Sequence, residues 1–266
     1  MDFSTIKVTE PEPGIALVTL NRPDRLNAIN LQMLDDLHTL FDCLQKNDQV
    51  RILVITGEGR AFCSGADISD EGLLNSASGF YSDVASHLEG VQKRYSGVVT
   101  RMRRLPQPII SAVNGHAAGG GMCIALASDV IIAGPDAKFT PSFINIGLSG
   151  GEMGSSYFLP RMVGIAKAAE ILLTGRTIDA FEADKIGMVS RLSGEGELIN
   201  MAMEQARIML GKTKVGLRLT KAAINQNLNA PSFEAAIELE DRNQSILNLT
   251  TEFSDAVKNF AGRNTE

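Results

Sequence analysis

The stretch AVNGHAAGGGM, residues 112–122, decides how the centre of the chain folds. It ends an apolar β-branched run, continues through the turn signal Asn114-Gly115, and places three glycines before another apolar segment. We expect a strand, a tight turn and a helix that begins at the glycines. The unpaired N–H groups at such a helix start can hold an anion, because glycine lets a ligand approach the backbone closely. Close packing of a helix on a sheet explains the same stretch without any ligand.

A second small-residue loop, RAFCSGADI at residues 60–68, follows an apolar run at 52–56 that is typical of a strand. Ligands in α/β proteins often bind where strands end. Alone, this loop favours a surface turn over a ligand site. Together, the two loops favour a site in which each contributes one backbone N–H to a single oxygen, as in an oxyanion hole.

Outward from these loops, the apolar spacing predicts an α/β core followed by a helical C-terminal part. Strands are expected at 15–20, 52–56, 109–113 and 130–133, and helices at 31–45, 91–102, 166–173, 180–185, 199–210 and 233–247. The segment 69–86 is rich in Ser, Gly and Asp, and we expect a loop or short helix beside the site.

The composition narrows the function classes. The 266 residues carry 25 basic and 31 acidic side chains, a formal charge of −6, which argues against a general nucleic-acid binder. A local basic cluster could still hold a phosphorylated ligand.

The three cysteines are widely spaced and indicate a reducing interior rather than disulfides or a metal site. No signal peptide is evident, and a turn at Asn114 interrupts the uncharged stretch 109–128, so we expect a cytoplasmic protein with no membrane partner.

Other catalytic motifs fail on order or spacing. GLSGG at residues 147–151 matches a nucleophile elbow, but all three histidines, His38, His87 and His116, precede Ser149, which excludes the hydrolase order Ser, Asp/Glu, His. The pentapeptide is interpreted as a glycine-rich loop. No pair of histidines has metal-ligand spacing, and His38 is expected on the surface of an amphipathic helix.

Seven short motifs, in order and spacing, resemble the crotonase superfamily of enoyl-CoA hydratases and isomerases over nearly the whole chain. They are LNRPDRLNA (20–28), RAFCSGADI (60–68), AVNGHAAGGG (112–121), SDV (128–130), FLPR (158–161), LTGR (173–176) and AVKNFAGR (256–263). The resemblance implies an α/β fold, a crotonase-like spiral of ββα units over 1–198 with a helical trimerisation region over 199–266. It further implies an acyl-CoA thioester substrate, no separate cofactor or metal, and a homotrimer or hexamer.

The resemblance also implies the functional residues. The oxyanion donors would be the backbone N–H groups of Ala66 and Gly120, and loss of one such donor generally costs a factor of about 10²–10³ in rate. Positions that match segments holding coenzyme A are Arg25, Leu26, Ala28, Ser64, Ala66, Asp67 and Ile68, with Phe260 and Arg263 reaching the coenzyme A of a neighbouring subunit.

The sequence departs from the hydratase pattern at both catalytic carboxylates. The matching positions hold Cys123 and Phe143, which cannot do acid/base work on a water, whereas Glu152 matches the single glutamate of Δ3,Δ2-enoyl-CoA isomerases. One carboxylate suffices for a double-bond shift. Glu152 could alternatively be a first-turn helix residue that interacts with the helix dipole. A non-catalytic acyl-CoA binder and an atypical hydratase remain open, while the absence of tryptophan weakens a dehalogenase interpretation.

Overall fold

The main sheet has six strands in the order β1-β2-β3-β5-β7-β10. The computed structural model describes residues 2–69 and 83–263. Strand β1 pairs with β2 antiparallel, and the other neighbours pair in parallel. These strands span Ile6–Glu12 (β1), Ile15–Leu20 (β2), Ile52–Gly57 (β3), Ile109–Val113 (β5), Val130–Ala133 (β7) and Arg191–Leu192 (β10).

A second sheet, in the order β4-β6-β8-β9, is built from very short strands. They span Ala61–Cys63 (β4), His116–Ala118 (β6), Lys138–Thr140 (β8) and Ile178–Asp179 (β9). A strand of the main sheet is followed by a short strand of the second sheet, and in the central unit a helix comes next: β5, β6, then Gly120–Leu126. The spiral of ββα units that the family resemblance implied is therefore present.

Helices pack on both faces of the main sheet and dominate the C-terminal third. They span Leu31–Lys46 (α1), Val84–His87 (α2), Lys93–Arg104 (α3), Gly120–Leu126 (α4), Ser155–Val163 (α5), Ile165–Thr174 (α6), Ala180–Lys185 (α7), Leu198–Leu210 (α8), Lys214–Asn227 (α9), Phe233–Asn248 (α10) and Thr251–Arg263 (α11). One turn of π-helix, Leu88–Gln92, joins α2 to α3. No helix of the described chain is both long enough and apolar enough to cross a bilayer.

Two apolar cores hold these layers together. The larger core lies between the two sheets and contains the buried faces of α1, α3 and α4. The smaller core covers the opposite face of the main sheet, where Ala202 and Ala206 of α8 pack against Ile52 and Ile110. Residue 198, the predicted end of the spiral core, is the first residue of α8, and this helix packs directly on the sheet. The division into a core and an oligomerisation region stays a prediction.

A partly buried ionic cluster connects α9 to the core. Asp129 lies between two cations, with Arg103 Nη1 at 3.1 Å from Oδ1 and Lys221 Nζ at 2.8 Å from Oδ2. The same carboxylate accepts a hydrogen bond from the N–H of Ile109 at 2.8 Å, and Lys221 Nζ also donates to the carbonyl of Gln107 at 2.8 Å. Burial is the largest influence on Lys221 and lowers the pKa of its ammonium group, which Asp129 opposes. The cluster therefore requires Asp129 for its charge balance.

Most of the expected elements are confirmed, with ends that differ by a few residues. The strands at 15–20, 109–113 and 130–133 and the helix at 180–185 are found with the expected bounds. Of the expected loop at 69–86, residues 70–82 lie outside the described residues. The expectation for His38 is wrong: its ring is half-buried, with Nε2 at 2.9 Å from the carbonyl of Arg94, because α3 packs over this face of α1.

Candidate active site

The two small-residue loops lie side by side with the loop after β2. Ser64 N–H donates to Leu26 O at 3.0 Å, and Ile29 N–H donates to Gly65 O at 2.7 Å. Asp67 N–H donates to Ile29 O at 2.9 Å, so Ala66 forms a bridge with Ile29. In this parallel pattern the bonds to Ile29 come from the residues on either side of Ala66. Within residues 2–69 and 83–263, the N–H of Ala66 has no hydrogen-bond acceptor.

The start of α4 lies directly against this loop. Gly119 precedes the helix with φ +49°, and its carbonyl accepts the N–H of Cys123. Gly65 has φ +94°, and a Cβ atom there would lie 2.9 Å from Ala118 O and 3.5 Å from Gly120 N. Only glycine permits this approach. The N–H of Gly120 has no acceptor among the residues that the structure describes, so both predicted oxyanion donors are available in adjoining loops.

We call residues 26–29, 64–67 and 118–121 the backbone frame. An unanticipated residue supports it: Asn27 is buried with φ 55°, and its Nδ2 donates to Glu58 O at 3.0 Å and Ala61 O at 2.8 Å. Asparagine tolerates this left-handed conformation better than most residues. The sequence signal was present in the motif LNRPDRLNA, but its spacing did not indicate a polar side chain that ties the loop to β4.

Asp67 differs in role from the other positions that were matched to coenzyme A. Its carboxylate forms an ion pair with Arg22, Nη2 to Oδ2 2.8 Å, and accepts from Ser69 Oγ at 2.7 Å. Burial raises the pKa of Asp67, but the hydrogen bonds from Ser69 and the charge of Arg22 outweigh it and the pKa is lowered. The carboxylate of Asp67 is therefore occupied by Arg22 and Ser69 and stabilises the frame. Any contact between Asp67 and a ligand would come from the backbone of Asp67.

The remaining matched positions surround the frame at different depths. Arg25 is exposed after the turn at Pro23, Leu26 is half-buried with φ 51°, and Ala28 is buried. Ser64 is half-buried and Ile68 is 68% exposed. Phe260 and Arg263 lie in α11. Their assignment to a neighbouring subunit's coenzyme A stays a prediction.

Glu152 lies in the loop before α5, and we call residues 147–154 the acid segment. The helix begins only at Ser155, so the alternative interpretation of Glu152 as a first-turn helix residue is wrong. Ser155 Oγ accepts the N–H of Glu152 at 3.0 Å, and Cys123 Sγ lies 3.3 Å from its carbonyl oxygen. Its half-buried carboxylate accepts one hydrogen bond, from Gln92 Nε2 to Oε1 at 2.5 Å. Sequence reasoning missed Gln92, which lies 60 residues away along the chain.

The two positions of the missing hydratase carboxylates adjoin the frame. Cys123 is buried; burial and then the nearby Glu152 raise the pKa of its thiol far above the usual range. Phe143 faces Gly119, since a Cβ atom on that glycine would lie 3.5 Å from the Phe143 ring. Met153 connects the acid segment to the frame: its Sδ lies 3.3 Å from where a Cβ atom on Gly120 would be. Glu152 is thus the chain neighbour of Met153, the residue that contacts the predicted oxyanion donor Gly120.

A cavity of about 610 Å³ opens between α3, the acid segment and the end of α9. Its walls include Gln92, Ser96, Val99, Glu152, Phe158 and Leu228. Glu152 is the only carboxylate among the described residues that line it. In the described ranges no three His, Cys, Asp or Glu side chains group in a way that could hold a metal ion.

Comparison with known proteins identifies the family and the fold of the chain. Residues 10–265 match the model of the enoyl-CoA hydratase/isomerase family. A relative from Mycobacterium bovis, "Probable enoyl-CoA hydratase echA12", is 38% identical over 264 residues, covering 96% of this chain and 89% of the relative. The 1,2-epoxyphenylacetyl-CoA isomerase of Escherichia coli is 34% identical, covering 95% and 94% of the two chains.

A solved structure of a putative enoyl-CoA hydratase from Streptomyces coelicolor A3(2) superimposes with a TM-score of 0.91. It shares 35% identity, and the match covers 98% of this chain and 93% of that one. The protein therefore belongs to the enoyl-CoA hydratase/isomerase family and has the crotonase fold.

Proposed function

We propose that the protein is an acyl-CoA enzyme that shifts a carbon–carbon double bond, with Glu152 as its base. The observation that supports this most is that Glu152 is the sole carboxylate among the described residues of the cavity wall, in a segment that touches the frame through Met153. Cys123 and Phe143 occupy the positions where a hydratase has its two carboxylates, and neither can move a proton to or from water. Relatives are named both as hydratases and as isomerases. The choice between these two activities therefore rests on the chemistry of the site.

The proposed reaction needs one proton carrier and one oxyanion site. Glu152 removes a proton from C2 of a 3-enoyl thioester, and the electron pair moves onto the thioester oxygen to give a dienolate. The N–H groups of Ala66 and Gly120 stabilise that oxygen, because donors aimed at a developing charge need no reorganisation. The protonated Glu152 then returns the proton to C4, and the electrons reform the carbonyl and leave a 2-enoyl thioester. No atom is gained or lost.

The variant Glu152→Gln tests the base directly. We expect its kcat on a 3-enoyl-CoA to fall by about 10²–10⁴-fold, the usual contribution of a general base, as measured by the absorbance of the conjugated thioester. Glu204→Gln, an exposed carboxylate on α8, is the matched control and should retain full turnover. Unchanged turnover in Glu152→Gln would remove Glu152 from the mechanism.

Two alternatives give different results with the same protein. A non-catalytic binder would bind acyl-CoA in calorimetry but turn over no thioester. An atypical hydratase would consume crotonyl-CoA by hydration, with loss of the absorbance of the conjugated thioester.

We also propose that the protein assembles as a homotrimer or a hexamer through its C-terminal helices. Large apolar side chains there face solvent in the single chain, among them Leu249 at 90% exposed and Phe233 at 73% exposed. An exposed apolar surface of this kind favours association. Sedimentation equilibrium should give three or six times the 28.5 kDa chain mass, and a monomer would contradict the proposal.

A further inference from the structure

We propose that Gln92 is the positioning residue of the candidate base, holding one oxygen of Glu152 so that the other faces the substrate. This inference rests on the proposed function. Gln92 Nε2 donates to Glu152 Oε1 at 2.5 Å, and both side chains line the same cavity. Among the residues that the structure describes, no other side chain bonds to this carboxylate, so Oε2 is left for a proton at C2 or C4 of the acyl chain.

The backbone beneath Gln92 is unusual in a way that supports a functional role. Residues Leu88–Gln92 form a turn of π-helix, and the regular helix α3 starts only at Lys93. Such one-residue insertions cost helical hydrogen bonding and occur frequently at functional sites. Here Gln92 is the last residue of that turn, so the insertion sets the direction in which its side chain leaves the helix.

The start of α3 is also bonded to the backbone frame and to α1. Tyr95 Oη donates to the carbonyl of Ile29, inside the backbone frame, at 3.1 Å. Arg94 pairs with Asp35 of α1. Gln92 is therefore three residues from a direct tie to the frame, and its bond to Glu152 connects the frame to the acid segment by a second route besides Met153.

The chemistry of an amide suits this position. An amide N–H donates to a carboxylate but does not ionise near neutral pH, so Glu152 stays the only proton carrier. A serine or alanine at this position would leave the carboxylate free to rotate, and a second acid would compete for the proton.

The variant Gln92→Met keeps the length of the side chain and removes the donor. We expect kcat to fall by about 10-fold with KM within about twofold, since the lost bond orients the base rather than binds the substrate. Gln92→Glu should lower kcat at least as much, because it offers Glu152 an acceptor in place of the amide donor. Gln45→Met, an exposed glutamine on α1, is the control.

The outcomes separate this inference from the proposed function. If Glu152→Gln is inactive while Gln92→Met has the kcat of the wild type, only the positioning role is overturned. If Gln92→Met loses activity with a lowered melting temperature and a KM that rises as kcat falls, Gln92 is merely structural and the inference also fails. If Glu152→Gln retains activity, the proposed function itself is wrong.

Discussion

The backbone frame and the acid segment are held in place by different means. In the frame, main-chain hydrogen bonds, the Arg22–Asp67 ion pair and glycines at contact distance fix residues 26–29 against 64–67 and 118–121. In the acid segment, the carboxylate of Glu152 is held, among the residues that the structure describes, by a side-chain bond from Gln92. The frame therefore depends mainly on the backbone, whereas the orientation of the proposed acid depends on a side chain. Cys123 and Phe143 stand at the positions that the family resemblance matches to the two hydratase carboxylates.

The largest effect is expected from a change that breaks the frame. In Gly121→Ala, the new Cβ atom would lie 2.1 Å from the carbonyl oxygen of Cys63, and the backbone of β4 cannot move away cheaply. We expect a loss in the free energy of unfolding of more than about 3 kcal/mol, at the upper end for overpacking, and loss of turnover. Chemical denaturation measures the first. Gly194→Ala, where the nearest atom would be 3.8 Å away, should leave stability near wild type.

The second effect separates support of the frame from ligand contact. Arg22→Met leaves the buried Asp67 carboxylate without its cation, so we expect about 2 kcal/mol of destabilisation, less than for a fully buried pair. Because the pKa of Asp67 is lowered in the folded state, its contribution is present above the pKa of the unfolded chain and is lost as pH falls.

Arg25→Met, three residues along, is the contrasting variant. Its side chain is exposed, so stability should stay at the wild-type level while KM for an acyl-CoA rises. Equal melting temperatures for the two variants would contradict the distinction between Arg22 and Arg25.

A smaller effect tests whether Cys123, at a position matched to a hydratase carboxylate, takes part in the chemistry. Cys123→Ala removes the Sγ contact to Glu152 O, and we expect about 1 kcal/mol of destabilisation and less than about a fivefold fall in kcat. Because burial raises the pKa of this thiol, iodoacetamide should not inactivate the native enzyme. A fall in kcat as large as that of Glu152→Gln would place proton transfer at Cys123 instead.

The smallest effect concerns His38 on α1, whose ring packs against α3. Burial, and then the charge of Arg101, lower the pKa of its imidazole. The unfolded chain therefore binds more protons than the folded one, and the free energy of unfolding decreases as pH drops below about 6.5. Urea unfolding at several pH values should show a shallower decrease for His38→Gln than for the wild type. Identical slopes would show that His38 does not contribute.

The elements that were predicted from the sequence have strong local patterns. The β-branched run at Ile15–Leu20 and the Asn-Gly turn after Val113 can be recognised without knowing which distant residues pack against them. The crotonase motifs added the spiral itself. The strands of the second sheet were missed because two or three residues are too few for an alternating pattern to be distinguished.

The candidate site could be predicted only in part from the sequence, because some of its contacts join residues that are distant along the chain. Glycines and small residues signalled the frame, because close backbone approach restricts composition. The bond between Gln92 and Glu152 joins residues 60 positions apart, and the π-helical turn that directs Gln92 has no local sequence signature. The half-burial of His38 likewise depends on α3, which packs over it from elsewhere in the chain.

The carboxylate of Asp129, shared by Arg103 and Lys221, affects how this chain can be engineered. A shortened version that stops before α9, or a chimera with a foreign tail lacking that lysine, would leave Asp129 paired with Arg103 alone at the start of β5. Any transplant of the last helices between relatives must carry the lysine and the aspartate together. Dissecting this protein into independent modules is thus blocked at an ion pair whose arginine also lines the cavity that holds Glu152.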